Sequence, residues 1–459
     1  MNVSELTSML SAAEAFFRSG RTLPPENRIA ALKQLKQVLL AHEQDIYQAL
    51  SADLHKSPTE TYMCELGMVL SELSYMIAHG KRFSRNRRVS TPLAQFAASS
   101  YVKPCPRGVV LIMSPWNYPL MLALDPLVDA IAAGNTAVIK PSAYAPRTAA
   151  LLQTIVKEAF APGYVTVVTG GREENQQLLH QKFDFIFFTG SAAVGKEVLK
   201  AAAPNLIPAA LELGGKSPCI VDETADIALA ARRIAFGKFL NCGQTCVAPD
   251  YVVCQESVYV PLMAALKQEI TRQYGEEPFK NRDYGKIINQ KHFNRLTQLL
   301  SASKISFGGN VSENTLQIAP TLVSPCSFQD PVMEEEIFGP ILPILKYRDL
   351  NELLEVINSR PHPLALYFFS QNKQAIRKVL NTCPFGGGCI NDTIIHLATT
   401  RMGFGGVGSS GMGAYHGKTG FDTFSHMKSI VDKKTFLDLP MRYQPYSGIH
   451  QKLIRMFLR

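Results

Sequence analysis

Apolar positions in the first part of the chain recur at helical spacing. Leu32, Leu35, Leu39 and Leu40 follow Pro24-Pro25, a pair that marks a helix start. Met63, Leu66, Leu70, Leu73 and Met76 repeat the stripe in a second long helix, and both stripes are expected to face a core. From Gly108 the rhythm changes. GVVLIM, TAVIK, YVTVV, FDFIFF and PAALEL are short β-rich apolar runs, with helical patterns such as 148–158 and 193–202 between them. That alternation predicts βαβ units around a parallel sheet buried on both faces. Ligands of such sheets sit beyond the carboxyl ends of the strands. The turns there read SPWNYP, KPSAYAP, TGGREEN, FTGSAAVG and ELGGKSP.

A second α/β stretch follows Ser217. Its strand candidates are CIVDE, YVVCQ, ISFGG and ILPILKY, with helical patterns over 227–240 and 258–274. Glycine then becomes dense, first at Gly386-Gly387-Gly388 and again between Gly403 and Gly420. Interleaved Phe404, Val407, Met412, Tyr415, Phe421 and Phe424 make this a tightly turned, packed loop rather than a linker. The tail 449–459 places Ile449, Leu453 and Met456/Phe457 on one helical face, with Lys452, Arg455 and Arg459 elsewhere. Such a helix can rest weakly on a membrane surface, or pack on the body or a partner subunit.

Composition narrows the class. At 459 residues, 46% hydrophobic and 19% charged, the chain is folded and long enough for more than one domain. No apolar run is long enough to span a bilayer, and 119–134, interrupted by Asp125 and Asp129, reads as a buried helix. The start carries Glu5 and no basic leader, so no secretory signal is expected. Nine scattered cysteines without a CxxC pair predict free thiols in a reducing cytoplasm, with neither a disulfide framework nor structural zinc. Part of the net charge of +9 is local, in Lys81, Arg82, Arg85, Arg87 and Arg88. Without a nucleic-acid motif this run is read as a solvated surface, with no nucleic-acid partner.

Three residues carry candidate chemistry. Cys246, in FLNCGQTCVAPDYV, lies in a turn-like segment before Pro249, where it is either a reactive loop thiol or a small buried hydrophobe; Cys242 reads as packing. Glu212 ends a β-like run, where partial burial would raise its pKa and make it a general base. Asn117, beside the only tryptophan, could donate to an oxyanion or simply form a turn. GSAAVG after a strand suits phosphate at a helix N-terminus, although its spacing is not that of a dinucleotide fingerprint.

Together with IKPSAYAP, EEEIFGP and FGGVGSSGMGAYHGKTGFDTFSH, these motifs resemble the aldehyde dehydrogenase superfamily, in its order from about residue 108 to 426. The ending, the APDYV after the cysteine and the short N-terminal region resemble its class 3 branch. The resemblance implies an α/β subunit with a Rossmann-type NAD(P)-binding domain over 1–80 and 106–215 and an α/β catalytic domain over 216–393. A small β bridging segment with the C-terminal tail would take up 81–105 and 394–459, in a homodimer. It also implies oxidation of medium- or long-chain aliphatic or aromatic aldehydes to acids, with NAD or NADP. Cys246 would be the nucleophile, Asn117 the oxyanion donor and Glu212 the base that activates water. Trp116, Lys140, Ser142, Ala143, Gly190, Ser191, Val194, Gly195, Leu213, Gly214, Glu336 and Phe338 would hold the cofactor, and Tyr118, Ile394 and His396 the substrate. Ala143 departs from the family, which commonly has Glu there. The missing charge is expected to free Lys140 for a 2′-phosphate and let NADP be accepted. A coenzyme A-acylating enzyme and a non-catalytic structural protein are the alternatives, and the presence of Glu212 favours hydrolysis.

Overall fold

The computed structural model describes residues 3–458; Arg459, part of the tail considered above, lies outside them. Three larger β-sheets organise the subunit, beside a two-stranded ribbon of Val311–Ser312 and Gln317–Ile318. The first has six strands in the order Gly411–Met412, Ala209–Glu212, Phe185–Thr189, Val109–Met113, Thr136–Lys140 and Val165–Val167. All neighbours are parallel except the Gly411–Met412 edge. Every residue of Val109–Met113, Thr136–Lys140 and Phe185–Thr189 is buried, as continuous apolar strands covered on both faces must be. One cover is the Met121–Ala133 helix, buried at every position, including Asp125 and Asp129.

The second sheet has seven strands: Ile305–Phe307, Thr321–Val323, Ile341–Tyr347, Tyr251–Gln255, Pro218–Val221, Ala365–Phe369 and Gly387–Ile390. Thr321–Val323 and the last two were not anticipated from the sequence. Gly386–Gly388 is no turn: it leads into an edge strand, where a Cβ at Gly388 would lie 2.0 Å from the Leu366 carbonyl oxygen. The glycines allow two backbones to approach that closely. The third sheet is antiparallel, with Ala98–Pro106 between Arg87–Val89 and Ser425–Lys433; Arg87 and Arg88 of the basic run lie on its edge strand, and Lys81 and Arg82 end the Gly67–Phe83 helix.

Residues 394–459 reach beyond the third sheet: Gly411–Met412 pairs with Leu211–Glu212 in the six-stranded sheet, and the Gly417–Thr423 helix packs on Met121–Ala133. The second apolar stripe is not all core. Leu66, Leu70, Leu73 and Met76 are buried, but a single π-helical turn at Tyr62–Leu66 rotates Met63 outward, to 45% exposure. Leu40 of the first stripe is likewise exposed.

Candidate active site

The Pro115–Tyr118 turn follows the Val109–Met113 strand and is held from below by a buried ion pair. Lys56 Nζ donates to Glu65 Oε1 at 2.5 Å and to the Asn117 carbonyl at 2.8 Å, and lies 4.0 Å over the Tyr118 ring. Glu65 Oε2 accepts the N–H groups of Leu120 and Met121 at 2.8 and 3.2 Å. Neither charge reaches solvent. The Asn117 amide gives one N–H to the Gln244 carbonyl at 3.0 Å, which leaves its second N–H for a ligand. The Tyr118 hydroxyl meets Thr245 Oγ1 at 2.6 Å, fixing the residue before Cys246. Lys56 and Glu65 were not singled out from the sequence, because neither stands in a motif.

Cys246 lies in the turn after the short helix Leu240–Gly243. Asn241 and Cys242 there hold left-handed φ angles of 51° and 52°, conformations that cost about 1–3 kcal/mol each and persist only when surroundings impose them. Cys242 is buried as packing, whereas Cys246 is partly accessible and lines two cavities. Burial pushes its thiol up to about 12, with Glu336 and Glu212 adding to the rise and the N–H groups of Cys246 and Val247 opposing it. Burial thus disfavours the thiolate.

Glu212 ends the Ala209–Glu212 strand between Thr189 and Gly411, and neither carboxylate oxygen has a partner. Burial alone holds its pKa well above the usual carboxylate range, which suits a proton acceptor at neutral pH. The late glycines explain this placement. A Cβ at Gly411 would lie 2.3 Å from the Leu211 carbonyl oxygen, so the turn closes on Glu212 only as glycine.

One cavity is a cleft of about 300 Å³ lined by Trp116, Asn117, Gly190, Ser191, Glu212, Leu213, Gly214, Cys246, Glu336 and Phe338. Thr189, His292 and Arg295 also line it and were missed, since nothing distinguishes the last two within the amphipathic Gln290–Ser301 helix. Trp116 lies between His292 and Phe338, with ring centroids 5.1 and 5.4 Å away. The lining of this cleft suits the phosphate and nicotinamide end of a dinucleotide. Ser191 caps the Ala192–Ala202 helix, whose N-terminus favours anions, and Thr189 Oγ1 is a buried hydroxyl without a partner. Glu336 stands over Gly214, where a Cβ would lie 2.0 Å from its Oε2. Burial and Asp250 push that carboxyl up to about 8.

Lys140, Ser142, Ala143, Val194 and Gly195 do not line this cleft. Lys140 was expected to be free for a 2′-phosphate, but its amine is engaged by backbone carbonyls. It is buried and donates to the Pro141 and Gly170 carbonyls at 2.9 and 2.7 Å, and burial lowers its pKa to about 8. Ser142 Oγ accepts the Tyr144 N–H, and Ala143 is exposed. Val194 is in the first turn of its helix, and Gly195 allows that helix to pack on Leu213.

The other cavity, about 160 Å³, is an apolar tunnel lined by Met63, Cys64, Met68, Tyr118, Phe236, Ile394, Phe404, Tyr415, His416 and further apolar side chains, with Cys246 in its wall. Ile394 holds a left-handed φ of 51°, a strained state for a β-branched residue. His396 is corrected: it is absent from the tunnel wall, and its Nδ1 faces Cys389 Sγ at 3.7 Å.

Comparison with known proteins agrees with this arrangement. The aldehyde dehydrogenase family model matches residues 1–430. The chain is 46% identical to 4,4'-diaponeurosporen-aldehyde dehydrogenase of Staphylococcus aureus, covering 97% of this chain and 98% of that one. It is 44% identical to the dimeric NADP-preferring aldehyde dehydrogenase of Canis lupus familiaris, covering 96% and 98%. The solved substrate-bound state of Staphylococcus aureus AldH superposes with a TM-score of 0.97 over all of both chains, at 46% identity. A thiol between a dinucleotide cleft and an apolar tunnel, with an unpartnered carboxyl and an amide beside it, is thus the centre of an NAD(P)-dependent enzyme that oxidises aldehydes to acids, and the chain belongs to the aldehyde dehydrogenase family.

Proposed function

We propose that the enzyme oxidises apolar aldehydes of medium or long chain, and aromatic ones, by hydrolysis of a thioester carried on Cys246. The observation that carries this reading is the place of Cys246 at the junction of the apolar tunnel and the polar cleft that holds Glu212 and Asn117. The thiolate adds to the carbonyl, and the new oxyanion is met by the spare Asn117 N–H and the Cys246 backbone N–H. The chemistry that NAD(P) supplies when bound in the cleft is acceptance of the hydride. Cys246 then carries an acyl group, and Glu212 takes a proton from water so that hydroxide frees the acid. The tunnel's sulfur-rich lining suits a flexible or unsaturated chain, because methionine adapts its shape to the ligand. The Staphylococcus aureus relative is named for a long polyene aldehyde.

The test is reduced-nicotinamide formation from hexanal and benzaldehyde without coenzyme A, with NAD and NADP in parallel. Turnover in the wild type and none in Cys246→Ala supports the reading; turnover only on adding coenzyme A contradicts it. NADP is accepted as well as NAD, because exposed Ala143 presents no charge to repel a 2′-phosphate. A strong preference for NAD at matched concentrations would refute this.

The active unit is a homodimer. The two long strands of the third sheet keep most of their side chains at least partly exposed, and a sheet this small needs a cover. The Gly448–Phe457 helix buries none of its residues and leaves Ile449 and Met456 exposed, which favours weak contact with an anionic membrane surface. Deleting residues after Tyr446 should release the protein from anionic vesicles. Nine free thiols favour a cytoplasmic location.

A further inference from the structure

Behind one wall of the tunnel lies a group of acids that the reaction does not use. Asp125 and Asp129 are one turn apart on the buried Met121–Ala133 helix, and Glu72 faces them from the Gly67–Phe83 helix. All three are at most 1% exposed. Both oxygens of Asp125, Oδ1 of Asp129 and Oε2 of Glu72 have no hydrogen-bond donor from the protein. The loop carrying Tyr415, His416 and Gly417 closes over them. Asp129 Oδ2 accepts the His416 N–H at 3.2 Å, and Glu72 Oε1 accepts the Gly417 N–H at 2.8 Å. The His416 Nδ1 atom lies 3.4 Å from Glu72 and 4.0 Å from Asp125.

These contacts hold His416 in an unusual state. Its φ is 75°, and its ring stacks on Tyr415 at 4.0 Å. Tyr415 in turn exchanges backbone hydrogen bonds with Phe404, at 2.9 Å each way. Phe404, Tyr415 and His416 all line the tunnel. The fit against the acids is close: a Cβ at Gly420 would lie 1.8 Å from Asp129 Oδ2.

We propose that Glu72, Asp125 and Asp129 form a carboxyl nest that sets the His416 wall of the aldehyde tunnel, and so act as positioning residues for the length of chain the tunnel accepts. A helix buried at every position would pack at least as well with apolar side chains there, and burying acids carries a cost. What apolar side chains cannot provide is acceptors for the His416 and Gly417 N–H groups. Burial holds the Asp125 and Asp129 carboxyls well above the usual range, with Glu72 raising both and Glu65 and the pair's mutual repulsion contributing. The groups facing the nest are Glu65, Glu72, Tyr415 and His416. Burial thus disfavours the charged form of both aspartates, and asparagine is their uncharged isostere.

The proposal rests on the tunnel being the aldehyde path, so the test compares chain lengths in the holoenzyme with NAD saturating. Wild-type turnover of propanal and decanal checks that path by itself; failure there sinks the functional reading, not the nest. Asp129→Leu leaves the His416 N–H unpaired. It should raise KM for decanal about fivefold or more while kcat and KM for propanal stay within about twofold, and Asp129→Asn should restore the decanal value. Equal losses on both aldehydes, or no rescue by asparagine, would overturn the proposal.

Should Asp129→Leu fail to fold, thermal stability against pH gives a second reading. The folded pKa is raised, so the unfolded chain releases its proton first and wild-type stability falls as pH rises above about 4. Asp129→Asn should flatten that fall above about pH 4, and an unchanged slope would overturn the proposal.

Discussion

The cleft and the tunnel meet at one sulfur but are built in opposite ways. The cleft is polar and is made from turns at the ends of consecutive strands: Trp116 and Asn117, Gly190 and Ser191, then Glu212 to Gly214. The tunnel is apolar and draws on Met63, Phe236, Ile394, Phe404 and His416, side chains from distant parts of the chain. Charge is used differently as well. The cleft has unpartnered or raised carboxyls facing its ligands at Glu212 and Glu336, whereas the tunnel keeps its carboxyls behind the wall. Chemistry that must be the same for every substrate sits in the rigid strand ends. Selectivity is left to a wall that can change residue by residue.

That division can be broken by mutation. Cys246→Ala should cost the most, about 10⁵-fold in kcat or more for every aldehyde, measured by nicotinamide reduction. Glu212→Gln should give a burst of one turnover and then a steady rate about 10²- to 10⁴-fold lower, seen by stopped flow. Asn117→Ala should lower kcat by about 10²- to 10³-fold irrespective of chain length, since the oxyanion is common to all substrates. Lys56→Met strands Glu65 without its buried counter-ion. It should destabilise the protein by about 3–5 kcal/mol in chemical denaturation, with loss of activity following the Asn117 turn.

The smallest effect belongs to the tunnel. Met68→Ala should shift the decanal-to-propanal ratio of kcat/KM by about tenfold while leaving the burst amplitude intact. A tunnel substitution that slowed all aldehydes equally would erase the distinction between the two regions. The pH profile follows from the cleft alone. Cys246 and Glu212 must both lose protons, and burial raises both pKa values. Activity should therefore climb from about pH 6 to 9, and a profile that falls over that range would contradict the roles assigned to them.

The same contrast explains what could be read from the sequence. Strand runs such as TAVIK and FDFIFF are continuous apolar segments, and the chemistry at their ends sits in short contiguous turns, so periodicity and motif converge. The missed strands of the second sheet fail that test. Ala365–Phe369 carries no flanking motif, and Gly387–Ile390 looked like a turn because its glycines serve close strand pairing instead of reversal. Met63 was misplaced because a π turn shifts the helical register, which a fixed period cannot anticipate. His396 lies in the right loop, yet it follows the left-handed Ile394 by two residues and faces Cys389. Lys56, Glu65, His292 and Arg295 act through contacts across long sequence separations, for which local patterns hold no signal.

The central claim is a covalent acyl group on one thiol, released by one carboxyl. Glu212→Gln mixed with NAD and hexanal, quenched within the burst and digested, would be read by mass spectrometry. The account predicts one hexanoyl group on the peptide containing Cys246, and its absence from the wild type at steady state. An acyl group on Cys64 or Cys242, or no adduct in a protein that still reduces NAD, would contradict it.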